Sequence, residues 1–153
     1  MELSLAIGRS IEDLRSAASR ALVADAPQSD FWLDELQVEI GAYEAATDLV
    51  LGSDTVRSPY LRSLLKSVDV EIQGVLNLAQ RIVAARAAGL GPETLALTVQ
   101  LMARQRRLAV KGRYLVSHLR DYFMPAELND LGDAFADERA ANSRAVHTMS
   151  FGG

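Results

Sequence analysis

Between its prolines and glycines the chain repeats apolar residues every three to four positions, and no stretch alternates with period two for long enough to make a strand. The sharpest run carries Leu61, Leu64, Leu65, Val68, Ile72, Val75, Ala79, Ile82 and Val83 on one face of a predicted helix over about 59–88. Ser58-Pro59 opens it as cap and first helical residue, and Gly89 stops it. The same logic places four further helices. One covers about 4–24, with Leu3, Ile7, Ile11, Leu14, Ala18, Ala21 and Leu22 as its stripe and Pro27 beyond it; Ser10-Ile11-Glu12-Asp13 resembles a capping box and offers a second start at Ser10. A second covers 30–51, capped by Asp30 and ended by Gly52.

Gly91-Pro92-Glu93 opens a helix over 92–123, and Pro125 opens a last one over 125–147. The thin stripe of that last helix, Leu128, Leu131 and Phe135, suits an element docked on the outside. Short connections make successive helices antiparallel neighbours. The fold class expected is all-α: an up-and-down antiparallel bundle of four core helices plus a C-terminal docking helix, as one domain over 1–153. Glycine falls inside several predicted helices, at Gly41, Gly74, Gly112 and Gly132 among others, each costing about 1 kcal/mol relative to alanine. A close helix crossing, a kink or an exposed, neutral site would each account for one.

Hydrophobic residues make up 49% of the chain, the globular average, and no segment approaches the apolar length of a membrane span. The amino terminus has no basic segment followed by an apolar run, so a cytoplasmic protein is expected. With no cysteine, disulfides, thiolate nucleophiles and cysteine-ligated metals are excluded. Lys66 and Lys111 are the only lysines among many arginines and alanines, a bias we read as bacterial, GC-rich coding.

Charge is segregated. From Ala21 to Val56 every charged residue is acidic: Asp25, Asp30, Asp34, Glu35, Glu39, Glu44, Asp48 and Asp54. From Thr94 to Arg120 every one is basic. On the fourth helix Leu97, Leu101, Leu108, Leu115 and Leu119 form an apolar ridge, which Met102, Val116 and Phe123 extend. Arg106, Arg113 and Arg120 lie along one edge of it, and Arg104, Arg107 and Lys111 along the other. Such stems cover core while their heads reach water. Acidic and basic helices could pair inside the bundle or between copies. A net charge of −4, and basic groups on two opposed edges instead of one face, make nucleic acid the second choice of partner.

The second helix is apolar on two sides. Leu33, Leu36, Ile40, Tyr43, Thr47 and Val50 make the first. Phe31, Val38, Ala42, Ala45 and Leu49 make the other, bordered by Asp34, Glu35, Glu39 and Asp48, and are the candidate interface. Trp32 reads as a staple on the core.

Chemistry-bearing patterns are few. A di-metal carboxylate site needs Glu-x-x-His, but Leu115 and Arg144 stand three residues before His118 and His147, so no metal and no cofactor is expected. Arg113-Tyr114-Leu115-Val116-Ser117-His118 resembles the arginine–histidine signature of HEPN-type ribonucleases, small helical bundles that often dimerise. That resemblance implies Arg113 and His118 acting on an RNA phosphate across a dimer. The leading expectation is a non-enzymatic bundle acting through protein–protein interaction, as adaptor, chaperone or assembly subunit, with another protein or with itself. The ribonuclease is the alternative.

Overall fold

A computed structural model describes residues 3–52, 59–122 and 132–141. Four long helices form the body: α1 (Leu3–Val23), α2 (Gln28–Leu51), α3 (Pro59–Ala87) and α4 (Gly91–Tyr122). A fifth, α5 (132–141), packs against them, and no strand occurs among the described residues. The bundle of four core helices with a C-terminal helix is therefore the architecture adopted.

The core follows the apolar stripes. Leu3, Ile7, Ile11 and Leu14 of α1 meet Leu36, Ile40, Tyr43 and Val50 of α2, Leu61, Val68, Ile72, Val75 and Ile82 of α3, and Leu97, Leu101, Leu108, Leu115 and Leu119 of α4. α1 packs most extensively on α2, and α3 on α4; α1 also meets α4 and touches α3 across the centre. α2 and α4 thus occupy the two far corners of the bundle, on its long diagonal, with little direct contact. The acidic helix and the basic helix are thus set apart in the bundle.

Gly8 and Gly112 explain how α1 and α4 cross. A Cβ on Gly112 would lie 3.1 Å from Ile11 Cδ1, and one on Gly8 would lie 3.2 Å from Val116 Cγ2. Glycine here lets two backbones approach, as one of the sequence alternatives has it. A Cβ on Gly41, by contrast, would meet nothing within 4 Å among the described residues.

Several helix ends differ from expectation. α1 runs through Ser10, which is buried inside it, so the capping-box start is not used. α2 begins at Gln28, with Pro27 at its N-cap, and Asp30 falls in the first turn, where its charge favours the positive end of the helix dipole. Gly52 caps α2 in the right-handed conformation, so glycine is not required there. Gly89, at φ 74°, does take the left-handed conformation that stops α3. Arg86, near the end of α3, donates to the carbonyls of Leu22 and Ala24 and pairs with Asp25 at 3.5 Å, holding the otherwise unsatisfied C-terminal end of α1.

The start of the last helix, including Leu128 and Leu131, and the segment from 142 onward lie outside the described residues. In α5 Phe135 joins the core cluster, and Arg139 pairs with Glu39 of α2 at 3.4 Å. The Phe135 ring and the Arg139–Glu39 pair are two of the ties that hold α5 to the bundle.

Candidate functional site

The two basic edges of α4 have different environments. On the edge facing α3, Lys111 Nζ lies 3.0 Å from Glu71 Oε1, and Arg104 Nη1 and Arg107 Nε each lie 3.5 Å from Glu71 Oε2. Glu71 is 6% exposed. Its burial pushes the carboxyl pKa up, but the Lys111 hydrogen bond and the charges of Lys111, Arg107 and Arg104 outweigh this and hold it below the ordinary value. Gly74, one turn further along α3, makes room: a Cβ there would sit 2.3 Å from Arg104 Nη1. Arg104, Arg107 and Lys111 are therefore held by the chain itself.

Sequence reasoning did not single out Glu71. Its signal is a carboxylate within the apolar arc of α3, three residues after Val68 and four before Val75.

The other row behaves differently. Arg106 and Arg113 are exposed and have no carboxylate partner among the described residues. Arg113 and Arg120 line an open groove of about 620 Å³ between α1 and α4, with Glu12 on the opposite wall. The same outward side carries apolar residues that sequence reasoning missed, interleaved with this row. Leu95, Val99, Met102, Val110 and Tyr114 are between 43% and 68% exposed. The first four fall within roughly 80° of arc, opposite the buried leucine ridge. Met102 thus belongs to the outer surface and does not extend the ridge as expected; Val116 is half-buried, and Phe123 lies outside the described residues.

On α2 the predicted second stripe divides. Phe31 and Val38 are exposed, whereas Ala42, Ala45 and Leu49 are half-buried against the core. Asp34 borders the exposed pair on one side and Glu35 on the other, with Asp30 and Asp48 beyond; no cation pairs with these four among the described residues. Glu39 alone of the bordering acids is committed, to Arg139, and its pKa is raised by burial first, with Asp13 and Glu35 adding to the effect and Arg139 opposing it. Trp32 packs on the core with the Arg20 guanidinium 4.7 Å from its ring centroid, as a staple should.

Arg113 and His118 do not come together within one chain. Five residues along a helix turn through roughly 140°, so Arg113 faces the α1 groove while His118 packs edge-on against Tyr60 of α3, with centroids 4.8 Å apart. A second groove, of about 510 Å³ between α2 and α3, is lined by Tyr43, Thr47, Arg62, Lys66 and Asp69. The Tyr43 hydroxyl is buried and has no hydrogen-bond partner among the described residues, and burial, then the Asp69 charge, raises its pKa. Among the described residues no three histidine or carboxylate side chains converge, and no helix is long and apolar enough to cross a membrane.

Comparison with protein-family profiles, with curated protein sequences and with solved structures gives no match, so function must be argued from the residues themselves.

Proposed function

We propose that this chain is a non-enzymatic helical-bundle protein that works in the cytoplasm by protein–protein association, as a subunit of an assembly or an adaptor. The observation that carries this is the outward face of α4: Leu95, Val99, Met102 and Val110 are exposed on the side away from the core, with Arg106 between the last two. A helix that exposes several large apolar side chains opposite its buried side has one side more than a monomer uses, and such a cluster with charges set among it marks an association site. The exposed pair Phe31 and Val38 on α2 supports the same conclusion from the other corner. The ribonuclease alternative draws no support from the placement of Arg113 and His118 on different sides of α4.

Val99→Asp with Met102→Asp tests the proposal, because both side chains are already exposed and the change leaves the core alone. The wild type should form a complex, with itself or with a nuclease-resistant protein partner at fixed stoichiometry, and the double variant should lose it while keeping its helical circular dichroism. A wild type that stays monomeric and captures nothing, or a variant that associates as well as the wild type, would overturn it. Cleavage of RNA by the wild type but not by His118→Ala would establish the alternative.

A further inference from the structure

We infer that the chain associates head to tail with copies of itself, the outward α2 face of one copy seating on the outward α4 face of the next. This rests on the protein–protein proposal above and names the partner. The two faces match in chemistry. That of α2 offers Phe31 and Val38 among Asp30, Asp34, Glu35 and Asp48, while that of α4 offers Leu95, Val99, Met102 and Val110 with Arg106 and Arg113. Each set of charges lacks a partner within the described chain. Joining α4 to α4 would set arginine against arginine, and joining α2 to α2 would set carboxylate against carboxylate. Only the mixed pairing brings apolar row to apolar row and opposite charges together.

The position of the two faces then decides the symmetry. α2 and α4 sit on the long diagonal of the bundle, and each exposed row lies opposite its own helix's buried side. The two faces therefore point away from one another. A pair of copies cannot close both contacts at once, so after one contact each pair keeps one unused face of each kind. Such a heterologous contact extends as a ring or an open filament.

Single-site variants with one dead face each provide the test. Val38→Asp removes the α2 face and Val99→Asp the α4 face; both valines are 61% exposed, so neither change disturbs the core. Each loss should weaken association at least about thirty-fold, as removal of a central interface contact does. By light scattering, wild type should exceed a dimer, with a mass that rises with concentration and falls with added salt. Each variant alone should be monomeric. Mixed in equal amounts they should form a dimer and stop there, because only one live α2 face and one live α4 face remain per pair.

Three results would overturn the inference: a monomeric wild type, a variant that keeps the wild-type mass, or a mixture that stays monomeric. Failure here is separable from failure of the parent proposal. A monomeric wild type that binds a different protein at fixed stoichiometry, and loses it with Val99→Asp, refutes self-assembly alone; a monomeric wild type that binds nothing refutes both.

Discussion

Replacing Glu71 by glutamine probes the ionic cluster that joins α3 to α4. The side chain keeps its size and loses its charge, so Lys111, Arg104 and Arg107 lose their common counter-ion. Removing one partner of a fully buried pair costs about 3–5 kcal/mol, because the remaining charge is left without water. Here the cations are 33% to 53% exposed and can rehydrate, which lowers the expected cost to about 2 kcal/mol. That corresponds to a fall in Tm of roughly 4–8 °C for a domain of this size. The pH dependence separates charge from shape. The folded-state pKa of Glu71 is depressed, so its contribution is present above the unfolded carboxylate value and is lost as pH falls through the folded one. Urea titrations followed by far-UV circular dichroism should show the full difference between wild type and Glu71→Gln near neutrality, and a much smaller one at about pH 3, below the ordinary carboxylate range. An equal difference at both pH values would refute the electrostatic account, since glutamine would then be harming packing. No difference at either would mean that desolvation cancels the pairing.

Further outcomes test other parts of the molecule. Gly41→Ala should raise stability by about 1 kcal/mol, because the site is open and helical, while Gly112→Ala should gain nothing or lose about 1 kcal/mol where its Cβ meets Ile11; thermal melts showing equal gains would refute the close crossing. Tyr43→Phe deletes a buried hydroxyl that lacks a partner and should stabilise the chain by up to about 1 kcal/mol in denaturant titration; a loss of that size would reveal a partner for the hydroxyl. Glu39 carries the opposite sign to Glu71: its folded pKa is raised, so the stability it confers is greatest at low pH and is lost as pH rises through the folded value. Glu39→Gln should be at least as stable as wild type near neutrality, and a clear loss there would show that the Arg139 pair outweighs burial.

The fold was legible because each helix announces its buried side. Leu61, Val68, Ile72, Val75 and Ile82 recur with a period that only a helix satisfies, and Gly89 with Pro92 cuts α3 from α4. The less legible parts are those where local signals compete. Asp30 looks like a cap, but the chain already turns helical at Gln28. Ser10-Ile11-Glu12-Asp13 looks like a helix start, but Ile7 and Leu3 continue the stripe backwards and win. On α2 the periodicity located a second apolar side without telling which part is already covered; Ala42, Ala45 and Leu49 turn out to pack on the core while Phe31 and Val38 do not. On α4 nearly every direction carries an apolar residue, so packing decides which are covered: the leucine ridge is buried, and Met102, turned roughly 100–140° from it, is not.

That same ambiguity bears on what the charges are for. A basic helix and an acidic helix in one chain suggest an internal pair, yet the order of packing sets α2 and α4 at opposite corners, and the counter-ion of Arg104, Arg107 and Lys111 is a carboxylate on α3. One buried glutamate occupies three cations, Arg104, Arg107 and Lys111, leaving Arg106 and Arg113 on the outward side with no carboxylate of their own among the described residues. An exposed arginine costs a folded monomer nothing, so these two do not by themselves demand a partner. What changes their meaning is the apolar residues around them, since Leu95, Val99, Met102 and Val110 gain from burial while the arginines restrict which surface can bury them. A purely apolar face would accept many surfaces, including its own copy about a twofold axis. Arginines on that face penalise the twofold arrangement and favour an acidic apolar surface, which the chain displays on α2, pointing the other way.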